Sequence, residues 1–271
     1  MFGYFIAILT HSPNLVRLTV NVGYEFDSTH VFKLTSINLR HIHTLNWRSQ
    51  STSSVLYSLL ALWPSIRYLR INNLQLNPPQ EHQRPALLRS LFLCRRFPEN
   101  FMTWLVPTGD EEPLRELHLE GNYPGTSQVL KGVLLHAPTL HVLAVNDFPP
   151  QSLLDALTAL NELAFRALPS APVRLPLSVQ RVKYRSRERP RPHCMTLDRE
   201  WDNEADSESL KKTSHLITAL MDLPKLTLVG VTFPTAKEVM VILEKFCREK
   251  MVEFDVCDNS ALYSVSACLV R

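Results

Sequence analysis

The chain has 271 residues, of which 45% are hydrophobic and 20% are charged, and this balance excludes global disorder. Lys and Arg (29) outnumber Asp and Glu (26) by only three, so the net charge indicates neither a nucleic-acid partner nor a membrane partner. The 19 Pro and only 7 Gly suit turns set by Pro and argue against a Gly-rich phosphate-binding loop.

The first segment, residues 2–9, is apolar and predicts a helix with one face left for a covering partner. We therefore expect further sequence ahead of it. The segment has no basic region before it and no small-residue cleavage site after it, so it does not resemble a signal peptide.

From Leu15 onward one pattern recurs, in which an apolar anchor is followed three and five positions later by Leu, Ile, Val or an aromatic residue. The anchors lie 19 to 27 residues apart, except for one interval of 47 residues. This period is typical of leucine-rich repeats, which are roughly 20 to 29 residues long. The long interval indicates either a degenerate repeat or an insertion. The ten anchors are Leu15, Ile42, Ile66, Leu88, Leu114, Leu140, Leu160, Val179, Leu226 and Met251.

Strands and helices are expected to alternate along the repeats. After each anchor, apolar and polar residues alternate as in a short strand with one buried side. Pro64, Pro138 and Pro224 each precede a strand and end a helix, because Pro disfavours helical geometry in the residue before it. The apolar periodicity predicts helices at 53–62, 126–136, 152–160, 209–223 and 235–249.

The segment 185–209 interrupts the repeats. It is rich in Pro and charge and has too few apolar residues to order itself, so we predict an insertion loop that projects from the fold.

These elements predict an α/β fold, specifically a leucine-rich-repeat solenoid (horseshoe) of about ten irregular repeats in a single domain, 1–271. Parallel strands would line the concave face and helices the convex face. A repeated scaffold of this kind is typical of recognition, so we predict a non-catalytic scaffold for protein–protein interaction.

The succession of a helix, a Pro-x-Leu-x-x-Leu-x-Leu segment and another helix resembles the C-terminal repeat region of F-box/leucine-rich-repeat proteins, over residues 5–260. The resemblance implies that the repeats hold the substrate of a ubiquitin ligase. In the full family an N-terminal F-box binds a Skp1-type adaptor. No Leu-Pro-rich F-box segment precedes the first repeat here, so we expect that adaptor only if an F-box is encoded upstream.

The residues between the buried positions of each strand face outward and supply the predicted binding surface. The early repeats combine Arg with Tyr, as interface hot spots do, and the eighth repeat is basic. His118 stands between two carboxylates, which is expected to raise its pKa. A protein or peptide with alternating charge would complement this pattern. The predicted partner-binding residues are Arg17, Arg48, Tyr68, Arg70, Asn72, Glu116, His118, Glu120, Arg181, Lys183 and Arg185. The same rule places Phe92, Ala144, Asn146, Ala164, Gly230 and Thr232 on the outward side, in solvent.

The basic run 181–191 provides the alternative function, in which its Lys and Arg side chains bind nucleic-acid phosphates. Tyr184 would stack on a base only if it faced outward, yet its position in the repeat is an inward one. The acidic run that begins at Asp198 would also neutralise the segment. We therefore rank a nucleic-acid partner below a protein partner.

Motifs for chemistry are missing from the sequence. The pairs His41 and His43, and His193 and Cys194, lack two further ligands at structural-zinc spacing, so no metal site is predicted. No nucleotide-binding or zinc-protease motif occurs, and we predict neither a catalytic residue nor a cofactor. The five Cys are odd in number and form no C-x-x-C pair, which indicates a reducing compartment, cytoplasmic or nuclear. No stretch reaches the roughly 18 apolar residues of a membrane-spanning helix.

Overall fold

The structure of the protein is a computed structural model. It describes residues 2–22, 37, 39, 41–49, 53–72, 87–94, 99–105, 113–120, 127–185, 207–233 and 235–258.

The described residues form ten β-strands, and each strand begins two residues after a predicted repeat anchor. Leu15 precedes the first strand in this way, and Met251 precedes the last. The repeat pattern therefore predicted the position of every one of these strands. Their bounds are β1 Arg17–Val22, β2 Thr44–Ser49, β3 Tyr68–Asn72, β4 Ser90–Leu93, β5 Glu116–Leu119, β6 Val142–Ala144, β7 Glu162–Phe165, β8 Arg181–Arg185, β9 Leu228–Phe233 and β10 Glu253–Asp258.

The ten strands form one sheet in sequence order, from β1 at one edge to β10 at the other, so the sheet is not closed. The registers are parallel and join equivalent positions of successive repeats, as in the series from Arg17 to Thr44 to Tyr68. A parallel connection needs a crossover between strands, and among the described residues a helix lies in six of the nine crossovers. The predicted α/β class is confirmed.

Seven α-helices lie among the described residues. The helix predicted at 53–62 has those bounds, and the N-terminal helix is also present. The prediction at 152–160 ran too long, because the chain turns at Leu157 and the Leu160 N–H bonds to the Leu157 carbonyl. The third helix was not predicted. The bounds are α1 Phe2–Thr10, α2 Ser53–Leu62, α3 Glu99–Trp104, α4 Ser127–Leu134, α5 Gln151–Ala156, α6 Ser207–Met221 and α7 Lys237–Lys250.

The long interval between repeats separates two strands that are neighbours in the sheet. β8 pairs directly with β9, with Arg181 opposite Leu228. The predicted loop 185–209 was too wide at both ends, because Arg185 belongs to β8 and residues 207–209 belong to α6. The rest of the predicted loop, 186–206, lies outside the described residues.

The chain divides into two compact units, residues 1–142 and residues 143–271, here named the N-terminal and C-terminal units. In the N-terminal unit the inward strand positions are buried, and Leu45 and Trp47 are fully enclosed. α2 packs on α3 through aromatic rings, since Tyr57 lies 5.1 Å from Trp104 and 6.3 Å from Phe101 between ring centroids. These contacts join successive repeats on the helical side.

In the C-terminal unit α6 packs beside α7, which in turn contacts β9 and β10. Leu216 and Leu220 of α6 are buried, as are Leu243 and Phe246 of α7. Each pair is spaced three or four residues apart, which is the spacing of one helical face. Neighbouring repeats therefore cover each other's apolar faces.

Candidate binding surface on the sheet

One side of the sheet faces away from the buried Leu positions, and its side chains are here called the outward face. Along β3, partly exposed side chains at Tyr68, Arg70 and Asn72 alternate with buried ones. β5 alternates in the same way from Glu116. The period-2 prediction of sidedness is confirmed for these strands.

At the centre of the outward face of the N-terminal unit, three side chains form a stacked row. Arg70, Phe92 and His118 occupy equivalent positions on β3, β4 and β5, and the strand registers place them side by side. The Arg70 Cζ lies 4.0 Å from the centroid of the Phe92 ring, within cation–π range. The imidazole of His118 stacks on the same Phe92 ring, with ring centroids 5.5 Å apart and ring planes 24° apart.

A chain of side-chain hydrogen bonds runs beside this row. The Asn72 Nδ2 donates to Asn46 Oδ1 at 3.1 Å, and the Cys94 thiol donates to Asn72 Oδ1 at 2.7 Å. The bonds connect β2, β3 and the residue after β4 across successive repeats. Both oxygen acceptors are thus bonded within the protein, and the amides hold each other in place.

The remaining predicted residues of the N-terminal unit also lie on outward strand positions. Arg17 and Arg48 are exposed, and Tyr68 and Glu116 are half-buried. Glu120 directly follows β5, where its backbone N–H donates to the Leu93 carbonyl at 2.8 Å. The structure therefore brings together all eight predicted residues of this unit on one side of the sheet.

Within the described part of the chain, Arg17, Arg48 and Arg70 form no ion pair. The Arg70 Nε is buried and has no hydrogen-bond partner there either. No carboxylate of the described residues therefore neutralises the guanidinium groups of these three side chains.

The basic residues of the C-terminal unit have a different environment. The Lys183 Nζ lies 2.8 Å from Glu162 Oε1, and the Arg181 Nε lies 3.6 Å from Glu162 Oε2. The Glu162 side chain is only 12% exposed, so two cations share one well-covered carboxylate. Arg185 is half-buried at the end of β8, opposite Thr232. An internal acid therefore offsets part of the basic cluster predicted on β8.

Several side chains predicted to be solvated on the outward side are buried instead. Phe92 is covered because Arg70 and His118 lie against it. Ala164 and Gly230 flank Lys183 in the strand register, and a Cβ added at Gly230 would lie 3.2 Å from Lys183 Cγ. The long Lys183 side chain thus fills the space that its two small neighbours leave. The other buried members of that prediction are Ala144, Asn146 and Thr232.

Phe92 and Glu162 are the two residues that the predicted site omitted. Phe92 was identified as outward without a role in binding, and Glu162 was assigned no role either. Aligning the repeats by their anchors would have found Phe92, because it stands at the same offset from Leu88 as Arg70 from Ile66 and His118 from Leu114.

The inward placement of Tyr184 is consistent with its position in the repeat. Its ring lies 6.0 Å from the ring of Phe165, which is fully buried and meets Phe148 edge-on at 4.8 Å. Tyr184 therefore packs against an aromatic cluster of the core and is not displayed next to the outward-facing Lys and Arg of β8.

Burial in the core shifts the pKa values of Tyr57, His136 and Cys247. Burial lowers the pKa of His136, an effect that its hydrogen bond with the Met102 carbonyl at 2.8 Å partly opposes. Burial raises the pKa of Tyr57 well above its usual range and that of Cys247 to about 11. These shifts reflect enclosure within the repeats.

Among the described residues, no group of three or more His, Cys, Asp or Glu side chains is arranged to hold a metal ion. The longest helix in this part of the chain is α6, with 15 residues, and no helix there has the length and apolar character to cross a membrane.

The sequence matches no protein-family model, and it has no match among curated proteins.

Proposed function

We propose that this protein is a non-catalytic recognition scaffold, a leucine-rich-repeat solenoid that binds a protein or peptide on the outward face of its sheet. The stacked row of Arg70, Phe92 and His118 is the observation that carries the proposal. A row of ordered aromatic and cationic side chains on an open strand surface offers a partner large contact area with little further loss of side-chain freedom.

The solenoid part of the proposal has its support in the registers. Each repeat pairs only with its neighbours in sequence, and equivalent positions lie side by side from strand to strand. A horseshoe built in this way is elongated. Small-angle scattering of the monomer should give a radius of gyration well above the roughly 18 Å of a compact chain of this length. A value at or below that figure would contradict the solenoid.

The binding part of the proposal is tested by charge reversal. The full chain and its Arg48→Glu/Arg70→Glu variant are immobilised, and the captured proteins are compared by quantitative mass spectrometry. We expect the variant to lose specific partners, because like charges across an interface are strongly unfavourable. A Lys225→Glu/Lys237→Glu variant is the matched control, since both Lys are exposed and lie outside the strands. Equal capture by all three proteins would contradict the proposal.

The resemblance to F-box/leucine-rich-repeat proteins extends the proposal to a ubiquitin ligase, with the partner on the outward face as its substrate. A Skp1-type adaptor would then bind a separate F-box. Immunoprecipitation of the protein from its own cells tests this extension. The Arg48→Glu/Arg70→Glu variant should lose the substrate and keep the adaptor, whereas precipitates without any adaptor would contradict the ligase role.

The thiol state of two described cysteines supports a cytoplasmic or nuclear location for this activity. Among the described residues, Cys94 and Cys247 are not joined in a disulfide, and Cys247 is buried. Imaging of a fluorescent fusion tests the location, and a secreted fusion would contradict it.

A further inference from the structure

The outward positions of β1, β2 and β3 carry a one-sided charge. They hold three Arg among nine side chains and no Asp or Glu; the other six are Thr, Asn and Tyr. Because Arg48 and Arg70 have no ion pair in the described part of the chain, this charge is not neutralised there. A surface of this composition is complementary to an anion with several hydrogen-bond acceptors.

Contacts within the protein order the Arg70 side chain before any ligand binds. Its guanidinium lies over the Phe92 ring, and the ring is fixed in turn by His118 on its far side. The adjacent amides do not compete for its donors, since Asn46 Oδ1 accepts from Asn72 and Asn72 Oδ1 accepts from Cys94. An arginine that is already ordered loses less freedom on binding than a mobile one.

The spacing of Arg48 and Arg70 suits an extended ligand. Arg48 pairs in register with Asn72, so Arg70 lies on the next strand and two residues back. Strands about 4.8 Å apart, with two residues rising about 6.6 Å, put the two Cα atoms about 8 Å apart. Alternate side chains of an extended peptide are spaced by nearly the same distance, about 6.6 to 7 Å, and point to the same side.

We propose that Arg48 and Arg70 bind two carboxylates at alternate positions of an extended acidic peptide, with Arg70 oriented by its stack on Phe92. This inference rests on the proposed function and specifies the partner's chemistry. Each carboxylate would accept charge-assisted hydrogen bonds from one guanidinium. The basic strand β8 is a weaker candidate for the same ligand, because Arg181 and Lys183 already form ion pairs with Glu162.

The probes for the test are three fluorescein-labelled nonapeptides. The first alternates Ser with Glu, the second replaces every Glu by Gln, and the third contains the same four Glu in adjacent pairs. Adjacent residues of an extended peptide point to opposite sides, so the third probe has equal charge and the wrong spacing. Fluorescence anisotropy at low salt measures the binding of each probe to the full chain.

We expect the alternating Glu peptide to bind at least about tenfold more tightly than the Gln peptide, and about threefold more tightly than the paired Glu peptide. Arg48→Gln and Arg70→Gln should each lower its affinity about tenfold, and Phe92→Leu should lower it about threefold by releasing Arg70. The Lys225→Gln/Lys237→Gln variant should bind like the wild type. Urea unfolding of every variant verifies that it is folded.

Equal affinity for the Glu and Gln peptides, or no effect of Arg48→Gln and Arg70→Gln, would overturn the inference. Tighter binding of a single-stranded oligouridylate, lost in the same two variants, would also overturn it in favour of a nucleic acid. If the Arg48→Glu/Arg70→Glu variant loses partners while no acidic peptide binds, the recognition surface stands and the acidic chemistry is wrong. If it loses none, the proposed function itself fails.

Discussion

The contact between Arg70 and Phe92 should stabilise the N-terminal unit measurably, and a double-mutant cycle can isolate its contribution. Arg70→Met removes the charge and keeps an unbranched side chain of similar length. Phe92→Leu removes the aromatic ring and keeps a bulky apolar group, so that cavity formation contributes little. The cycle then reports the interaction between guanidinium and ring.

The geometry sets the expected size of this interaction. The Arg70 Cζ is 4.0 Å from the ring centroid, the arginine is half-buried, and Phe92 is only 8% exposed. Cation–π pairs contribute about 0.5 to 1 kcal/mol at exposed sites and about 2 kcal/mol when desolvated. A half-buried pair at this distance should therefore show a coupling free energy of about 1 kcal/mol.

Urea unfolding followed by tryptophan fluorescence is a suitable assay, because Trp47 and Trp63 are both buried in the same unit as the pair. The control cycle combines Phe92→Leu with Arg181→Met, which lies in the other unit and should show no coupling. A coupling below about 0.3 kcal/mol for Arg70 and Phe92, which is within the range of independent sites, would refute the stabilising stack.

Three further predictions concern stability. Burial lowers the pKa of His136, so the imidazole stays neutral in the folded protein, whereas in the unfolded chain it takes up a proton near pH 6.5. The contribution of His136 to the free energy of unfolding should therefore be constant above that pH and decrease as the pH falls below it. His136→Gln, which keeps an N–H donor for the Met102 carbonyl, should reduce this pH dependence in urea unfolding between pH 7.5 and 5; an unchanged dependence would contradict the assignment. Gly230→Ala should lower the free energy of unfolding by about 1 kcal/mol, because the added Cβ would press on the Lys183 side chain. In a Lys183→Ala background the same substitution should raise the free energy of unfolding by about 0.5 kcal/mol. A change of the same sign in both backgrounds would argue against the contact. Met251 ends α7 in the left-handed backbone region, at φ 54°, and is 95% exposed. Met251→Gly should therefore raise the free energy of unfolding by about 0.5 to 1 kcal/mol, whereas Met251→Ala should leave it unchanged. A loss of stability in Met251→Gly would disprove backbone strain at this position.

Much of the candidate surface could be predicted from the sequence because the period of a strand is fixed. Once Ile66 is identified as an anchor, alternation puts Tyr68, Arg70 and Asn72 on one side and Leu69 and Ile71 on the other. The contacts between side chains of neighbouring strands were harder to predict, because they depend on the register between the strands as well as on the two-residue period within each strand. Phe92 was identified as outward, but its enclosure between Arg70 and His118 became evident only when β4 was paired with both neighbours.

The free charge on β8 was also hard to predict from the sequence, because it depends on a contact with the neighbouring strand. Arg181, Lys183 and Arg185 form a basic run in the sequence, and Glu162 precedes it by 19 residues at the start of another repeat. The register places Glu162 opposite Arg181 and beside Lys183, so the cluster is partly neutralised. Local composition overstated the free charge because the counter-charge belongs to the neighbouring strand.

The recurring apolar positions by themselves determined the α/β class, the starts of the ten strands and, in strands such as β3 and β5, the side that is buried, since these follow from local spacing and the exclusion of apolar groups from water. Tertiary structure alone decided which outward side chains touch. Only the tertiary structure showed that the strands on either side of the long interval before Leu226, β8 and β9, are neighbours in the sheet. The stack of Arg70 on Phe92 and the pairing of Lys183 with Glu162 are contacts between repeats, and no spacing within one repeat encodes them.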